Sequence, residues 1–330
     1  AASDVYKRQE ASGPTHDKVH PRIGITAKWI WGIYAGMTGT LIVLLVFGGM
    51  SVFDSICHAF TTTSTGGFST KQASIEYYHS PYIDYVISIF MFLSGINFTL
   101  LLLMFNGKIK KFIHDAELKF YFWCVSFFTI FIAVWLHQTS SMEIEEAFRK
   151  SLFQVISLQT STGFATADYM LWPSILWGCL VIVMIIGACA GSTGGGVKVS
   201  RVVLVMKSIK QELRQIIHPH GVQCVRMDKK TVDRKVLSSL YVYLTSYFFV
   251  FGLSVLAISL ENFSFTTNFT AVAATLNNIG PGLAEVGPSR NFGVYGDFSK
   301  LVLIFDMLAG RLELLPMLLL FYPRTWSSKC

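Results

Sequence analysis

Three short stretches rich in Ser, Thr, Asn and Gly are the residues of this chain best suited to bind an ion. The clearest is Ser161-Thr162-Gly163-Phe164, and copies of it occur at 61–69 and, more loosely, at 274–282. Glycine permits backbone conformations that turn successive carbonyls toward a common axis, and rings of such carbonyls can replace the hydration shell of a cation inside a membrane. The stretches therefore predict a cation filter. Its predicted ligands are the backbone carbonyls of Thr65, Gly66, Thr162, Gly163, Ile279 and Gly280.

Each stretch follows a short amphipathic segment, at 53–63, 144–158 and 269–276, and lies between long apolar runs. A short helix that ends at the filter would direct its partially negative C-terminal end toward the ion, and this polarity favours a cation. Non-helical backbone at membrane depth is tolerated only where it lines a cavity or is buried in protein. The pattern predicts three units of helix, pore loop and helix, and such internal repetition is common in transporters and channels.

The composition is that of a membrane protein, because 52% of the 330 residues are hydrophobic, 14% are charged and the mean hydropathy is +0.50. Soluble domains carry about a quarter charged residues. The six cysteines show no CxxC spacing, so neither a disulfide framework nor a zinc site is expected. No nucleophile–base pair or paired carboxylates stand out. We predict an all-α polytopic membrane protein that is not an enzyme.

Six apolar spans are predicted, at 28–48, 82–105, 120–136, 172–206, 236–260 and 300–321. The fourth is too long for one unbroken crossing, which needs about 20 residues. The predicted division is a polar segment at 1–27, pore repeats at 28–106, 107–206 and 236–322, a basic loop at 207–235 and a tail at 323–330.

Basic residues concentrate in two loops, at 106–119 and 207–235. The longer loop carries eight Lys or Arg residues against three acidic ones. Because cytoplasmic loops are enriched in Lys and Arg, both loops and both termini are predicted in the cytoplasm, with the pore loops entering from outside. The net charge of +7 is thereby explained without nucleic acid, and the longer loop also suits anionic lipid headgroups.

Four stretches carry a resemblance to one family. They are His58-Ala59-Phe60 with 64–70, 159–169 with 171–173, 190–198, and 276–282 with 286–288. With these motifs, residues 10–330 resemble the Trk/Ktr/HKT superfamily of potassium transporters, and within it the bacterial Trk-type membrane subunits. That family has four pore repeats around a pseudo-fourfold cation pore, so the resemblance implies that this chain shows the second, third and fourth repeats and lacks the first. Residues 1–9 match nothing expected there and suggest a sequencing or cloning join.

The resemblance implies potassium uptake across the bacterial inner membrane, with K+ as the transported ion and no covalently bound cofactor. It also implies a homodimer on a cytosolic, nucleotide-binding regulatory subunit, TrkA, for which the basic loop 207–235 is a candidate docking surface. A filter glycine in each visible repeat favours K+ in this family. A Na+-permeable or Na+-coupled relative is the alternative, and symport with H+ or Na+ stays open. A polytopic membrane enzyme is disfavoured, because an enzyme needs one asymmetric site rather than a loop repeated around an axis.

Every residue from 187 to 196 is Gly, Ala, Cys, Ser or Thr, which should interrupt the fourth span at mid-membrane. In the resembled family this segment is an intramembrane loop below the filter that acts as a gate. The implied gate residues here are Gly191, Ser192, Thr193, Gly194, Gly195 and Gly196. Close helix packing of the GxxxG type is the alternative reading. A phosphate-binding loop is excluded, because Val197 stands where that motif needs Lys.

Three ionisable residues, Asp306, Arg311 and Glu313, interrupt the apolar last span. Charged side chains within membrane spans are rare and usually functional. The resemblance implies that Arg311 faces the cavity and meets the gate loop. A pair of Arg311 with Glu313 or Asp306 that only joins helices is the alternative.

Overall fold

The computed structural model describes residues 23–140, 142–219, 224–228, 230–312, 314–320 and 322. Residues 1–22 of the predicted polar segment, Lys229, Glu313 and the tail at 323–330 lie outside the described residues. The helices are α1 (Ile23–Phe47), α2 (Val52–Thr63), α3 (Pro81–Ser94), α4 (Phe98–Phe105), α5 (Ile109–His114), α6 (Ala116–Thr139), α7 (Ile144–Gln159), α8 (Ser174–Ile185), α9 (Val199–Ile217), α10 (Arg234–Ile258), α11 (Phe265–Leu276), α12 (Asp297–Arg311) and α13 (Leu314–Leu320). Strands β1 (Arg226–Met227) and β2 (Lys230–Thr231) form a small antiparallel ribbon.

The short helices α2, α7 and α11 each follow a long apolar helix and end at one of the glycine stretches. Serine N-caps start two of them, since Ser51 accepts the N–H of Asp54 at 3.1 Å and Ser264 accepts that of Thr267 at 3.2 Å. The third, α7, has two glutamates in its first turn, where acidic side chains interact favourably with the helix dipole. Toward their C-terminal ends α7 and α11 are almost wholly buried, which brings the glycine stretches into the protein interior.

Three helices of the described chain are long and apolar enough to cross a membrane, namely Ala27–Phe47 within α1, α6, and Arg234–Glu261, which extends α10. Helices α3 and α4 meet the same criterion as a pair bent by 100°. Helix α8 is a shorter apolar helix. This mostly helical architecture with several membrane spans agrees with the predicted fold class.

The stretch predicted as a span at 82–105 is bent in the structure, because α3 ends at Ser94 and α4 begins at Phe98. Asn97 caps α4 by accepting the N–H of Thr99 at 2.8 Å. Gly95 occupies the corner, where a Cβ would overlap the hydroxyl of Tyr121 on α6. Hydrophobicity along the chain does not reveal this bend, because the helices on both sides of it are apolar.

The long stretch at 172–206 is broken, as expected from its length. Helix α8 ends at Ile185 and α9 begins at Val199, and Ile186 pairs with Val197 in a parallel bridge between them. Helix α9 then continues to Ile217, so the first part of the predicted loop at 207–235 is helical rather than irregular. The last predicted span, at 300–321, is also divided, since α12 ends at Arg311.

The core consists of connected apolar clusters. One joins helices α1 to α8 and includes the fully buried Ile87 and Phe153. A second packs α10, α11 and α12 around Ala273 and Leu303. A small third cluster packs Met227 of the ribbon against α9 and α10, which fixes the ribbon to the helices.

A buried ion pair joins α3 to the short helix α7. Arg149 Nη1 lies 2.6 Å from Asp84 Oδ2, and the two side chains are 15% and 8% exposed. Arg149 Nε also donates to Glu145 at 3.0 Å. Removing one partner of a buried pair costs about 3–5 kcal/mol, because the remaining charge has no compensation. The pair is therefore expected to fix the position of α7.

We expect Arg149→Met to lower the thermal midpoint of the detergent-solubilised full-length protein, because Asp84 would lose its cationic partner. The expected loss of stability is about 3 kcal/mol. The matched control is Arg290→Met, since Arg290 pairs with Glu285 at the surface, where ion pairs contribute about 0–1 kcal/mol. Equal midpoints for the two variants, measured by tryptophan fluorescence during heating, would contradict the structural role of the buried pair.

Candidate functional site

After each short helix the backbone turns twice into the left-handed region. The first turn comes two residues beyond the helix end, with φ of 53°, 55° and 56° at Thr65, Ser161 and Asn278. The second has φ of 66°, 83° and 102° at Gly67, Gly163 and Gly280. Residues other than glycine rarely adopt such angles, so the three loops share an unusual backbone path.

This shared path puts a different glycine of the first loop in register with the other two loops. The predicted ligand set takes Gly66 as the equivalent of Gly163, whereas the φ angles align Gly67 with Gly163 and Gly280. The residue before each glycine donates its N–H to the carbonyl five residues earlier, from Gly66 to Thr61 at 2.7 Å, from Thr162 to Ser157 at 2.9 Å and from Ile279 to Ala274 at 2.8 Å. Gly66 thus occupies a position where the other loops have Thr and Ile.

The loops contact one another through glycine and carbonyl groups. A Cβ on Gly67 would overlap the carbonyl oxygen of Thr162, and a Cβ on Gly163 would overlap that of Ile279. At Gly280 no described atom lies within 4 Å of the same position. The contact between the first and second loops is therefore repeated between the second and third, as a rotation about a common axis would produce.

The carbonyls that the sequence predicts as cation ligands are unpaired in the described part of the chain. No described residue donates a hydrogen bond to any of these ligands. They are the carbonyls of Thr65, Gly66, Thr162, Gly163, Ile279 and Gly280. The next carbonyls are held instead, since Phe68 accepts from Thr61 Oγ1 at 2.9 Å and Phe164 from Ser157 Oγ at 2.7 Å. Among the described residues no group of three or more His, Cys, Asp or Glu side chains could hold a metal ion. The backbone oxygens are thus the candidate ligands for a cation.

His58 on α2 supports the far end of the first loop, a role that the sequence does not reveal. Its Nδ1 lies 2.7 Å from the Asp54 carbonyl and so carries the proton, whereas Nε2 lies 2.9 Å from Ser69 Oγ and accepts its hydrogen. Ser69 Oγ in turn accepts the N–H of Lys71 at 3.1 Å. Asp54 lies in the first turn of α2, and its carboxylate accepts a hydrogen bond from the hydroxyl of Thr70. This bond is the main cause that lowers the pKa of the Asp54 carboxyl to about 2.

The small-residue segment at 187–196 packs against the C-terminal ends of the three short helices. Three successive residues each contact a different helix end, with Thr193 on Thr63 of α2, Gly194 on Thr160 at the end of α7 and Gly195 on Asn277 at the end of α11. At the two glycines the Cβ position is only 2.8 and 2.5 Å from the carbonyl oxygen, so no side chain fits. Because the segment is not helical, close backbone contact with the helix ends, rather than GxxxG packing, explains its composition.

Arg311 contacts this segment from the end of α12. Its Nη1 donates to the carbonyl oxygen of Thr193 at 2.8 Å. Asp306 instead accepts a hydrogen bond from Ser254 Oγ at 2.7 Å. The side chain of Glu313, the other alternative partner, lies outside the described residues. The contact implied by the resemblance is thus present between Arg311 and the segment.

Two further close contacts occur near the segment, one between helices α12 and α11 and one between Lys198 and the segment itself. A Cβ on Gly310 would overlap the carbonyl oxygen of Leu276, so glycine lets α12 approach the end of α11. Lys198 Nζ donates to the carbonyl oxygen of Gly194. Together with Arg311, Lys198 places positive charge against the backbone carbonyls of the segment.

The bend between α3 and α4 receives the segment on its other side. The N–H of Cys189 donates to the carbonyl of Gly95 at 3.0 Å, and the N–H of Phe98 donates to that of Gly191 at 3.1 Å. Breaking the helix frees these groups from intrahelical bonds, and the segment satisfies them. The pair of Gly95 and Asn97 inside an apolar run is the sequence signal that indicates such a break.

Comparison with known proteins agrees with this geometry. The sequence model of the TrkH family, described as a cation transport protein, matches residues 2–329. The Trk system potassium uptake protein TrkH of Escherichia coli strain K12 is 39% identical over 329 residues, which cover 97% of this chain and 67% of the relative. The protein of the same name from Vibrio parahaemolyticus is 38% identical over 326 residues, with the same coverage.

The crystal structure of the potassium transporter TrkH from Vibrio parahaemolyticus is also similar. It matches with a TM-score of 0.86 at 35% identity, over 94% of this chain and 66% of that chain. The chain thus spans about two thirds of the length of these relatives. These matches confirm the predicted membrane fold class and the resemblance: the chain belongs to the TrkH family of cation transport proteins.

Proposed function

We propose that this protein takes up potassium across the bacterial inner membrane, with K+ as the transported ion. The relatives that share its fold and sequence are named as potassium uptake proteins or as a potassium transporter, not as enzymes. The observation that carries the proposal is the repeated contact between the glycine of one loop and the carbonyl of the next. A repeat around an axis serves a pore, whereas an enzyme has no need of it.

The proposed filter is formed by the unpaired carbonyls of the three loops, with Gly67 taking the place of Gly66 as the glycine equivalent to Gly163 and Gly280. These oxygens would replace the hydration shell of K+. Each short helix ends at its loop, so the partial negative charge of its last carbonyls adds to the attraction.

The proposed gate is the segment at 191–196. It lies behind the loops and contacts the ends of all three short helices, so an ion that leaves the filter would meet it. Arg311 and Lys198 hold its backbone carbonyls from the side. Opening the path requires the segment to move away from the helix ends, which breaks these contacts.

The proposed orientation places the basic loop at 207–235 and both termini in the cytoplasm. The proposed assembly is a homodimer with a TrkA-like nucleotide-binding regulatory subunit, in keeping with relatives that are named as parts of a Trk system. Lys230, Arg234 and Lys235 are exposed and would contribute to the docking surface. Membrane lipids are the other candidate partner, since each basic residue near an anionic surface contributes about 1 kcal/mol.

We expect Gly163→Ser to weaken discrimination of K+ over Na+, because the new side chain would need a φ of 83° and would meet the Ile279 carbonyl. A tenfold loss corresponds to about 1.4 kcal/mol. The measurement is K+ and Na+ uptake by the full-length protein in a potassium-uptake-deficient bacterium. Unchanged discrimination would contradict the filter assignment, and a preference for Na+ in the unmodified protein would favour the Na+-permeable alternative.

The first loop provides a matched control for this experiment. Gly67→Ser should impair discrimination as Gly163→Ser does, because a Cβ on Gly67 would overlap the Thr162 carbonyl. Gly66→Ser should have a much smaller effect, since the nearest atom to its Cβ position is Ser64 Oγ at 3.3 Å. The opposite order would show that Gly66 is the filter glycine.

Removing residues 192–194 should raise K+ flux by about tenfold with little change in selectivity, because the obstruction lies behind the filter. Arg311→Leu should raise the flux less, since it removes only the bond to Thr193. The control is Arg290→Leu, which alters a surface pair. If flux falls to background while the shortened protein still inserts and assembles, the segment is a structural element and not a gate.

Charge reversal at Lys230, Arg234 and Lys235 should prevent co-purification of a TrkA-like regulator while membrane insertion stays normal. The matched control is reversal at Lys108, Lys110 and Lys111, exposed residues of the shorter basic loop. Undiminished co-purification at ordinary salt would show that this surface does not dock the regulator. Retention of the regulator together with weaker binding to anionic vesicles would assign the charges to lipid contact.

A further inference from the structure

A single buried carboxylate oxygen ties the two ends of the gate segment together. Glu117 lies in the first turn of α6 and its side chain is buried, with 5% of the residue exposed. Its Oε1 accepts the N–H of Ala190 at 2.6 Å and the N–H of Ser200 at 3.1 Å. Ala190 precedes the proposed gate residues and Ser200 follows them, so one atom bridges both flanks of the segment.

Both bonds lie in the protein interior, where water does not compete for the donors. Hydrogen bonds are electrostatically stronger at the low dielectric constant of such a site than in water. Ser200 lies in the first turn of α9, where the N–H groups lack intrahelical partners and a negative charge is favourable. The carboxylate therefore caps α9 from a neighbouring helix while it holds the start of the segment.

Moving the segment away would leave this carboxylate without its bonds to Ala190 and Ser200. A buried carboxyl oxygen without hydrogen-bond partners is unfavourable, as is an unpaired N–H at the start of α9. The backbone bond from Val199 to the carbonyl of Ala188, at 3.0 Å, joins the same two flanks and would have to adjust as well. The closed arrangement is thus stabilised from the side of α6, in addition to the contact that Arg311 makes from α12.

We propose that Glu117 is a positioning residue that keeps the gate closed by binding both of its flanks through Oε1; this inference rests on the proposed gate. Two side chains then hold the segment at different places. Arg311 contacts the middle of the segment through Thr193, whereas Glu117 fixes its two ends. Loss of Glu117 releases the ends and raises the population of the open state.

The test uses the full-length protein in K+-loaded proteoliposomes and measures K+ efflux and the K+/Na+ ratio. Glu117→Leu removes the acceptor at nearly constant size and should raise the flux by about tenfold with the ratio unchanged. Glu117→Gln keeps an acceptor oxygen and should stay within about twofold of the unmodified protein. Glu117→Asp keeps the charge but shortens the side chain, so it should raise the flux to an intermediate level and serves as the second variant if Glu117→Leu does not fold.

Asp115→Ala is the control for a general loosening of α6. Asp115 caps α6 by accepting the N–H of Leu118 at 2.9 Å, so its substitution weakens the start of α6 without removing either bond of Glu117 to the flanks of the segment. It should leave the flux unchanged within about twofold, since a lost cap weakens only the end of a helix. An equal rise of flux in Asp115→Ala and Glu117→Leu would overturn the proposal, because general loosening of α6 would then explain both.

Alkylation of cysteines gives a readout of segment position that does not depend on flux. Cys189 is 0% exposed and lies next to Ala190, whereas Cys124 lies on α6 two turns beyond Glu117. In Glu117→Leu, N-ethylmaleimide should modify Cys189 about threefold faster or more, because reaction of a buried group follows the population of the open state. Modification of Cys124, read by mass spectrometry of its peptide, should be unchanged.

Comparing K+ flux in the deletion variant and in the Glu117 variants tests the positioning role of Glu117 separately from the proposed gate. If the variant lacking residues 192–194 raises the flux and the Glu117 variants do not, the positioning role is wrong and the gate remains. If neither raises the flux, both are wrong. A fall of flux in Glu117→Leu with normal amounts of folded protein, or faster alkylation of Cys124 and Cys189 alike, also overturns the positioning role.

Discussion

Close contact of backbone with backbone at glycine is the constraint on which the site depends. Gly67 meets the Thr162 carbonyl and Gly163 meets that of Ile279, and each contact leaves no volume for a side chain. Carbonyl groups carry the ligand chemistry of a filter, so loops can share an axis only where neighbouring backbones approach this closely. The same constraint recurs in the small-residue segment, where Gly194 and Gly195 lie against helix ends. The geometry of the glycine loops and that of the segment at 187–196 therefore follow from the same packing constraint.

Polar side chains then hold these backbones in place. The interior of a membrane protein offers little water to satisfy charged groups, so each must find a partner within the protein. Arg311 donates to Thr193, Glu117 accepts from both flanks of the same segment, and the pair of Asp84 with Arg149 fixes α7. The segment is thus held through main-chain groups, which allows its own side chains to remain small.

Much of the site could be predicted from the sequence, because glycine permits unusual backbone conformations and the length of an apolar run indicates a membrane span. The three glycine stretches, the short helices before them and the break within 172–206 all follow from local composition. The register of the first loop could not be predicted, since Gly66 and Gly67 are adjacent and both fit a loop. It depends on which glycine takes the φ of 66° that the neighbouring Thr162 carbonyl requires. For the bend after α3 the sequence offers Gly95 and Asn97 as a signal, but the close approach of Gly95 to Tyr121, a residue distant in sequence, is visible only in the structure.

The sequence by itself determined that this chain is a helical membrane protein with three related glycine loops, because hydrophobic length and internal repetition are properties of the chain alone. The tertiary structure decided which backbones touch: the rotation that relates the loops, the position of segment 187–196 across three helix ends, and the link from Glu117 to both flanks of that segment. These relations join residues from separate helices. Only the packing of those helices brings a carboxylate, a carbonyl or a glycine within the few ångströms at which hydrogen bonds and steric exclusion act.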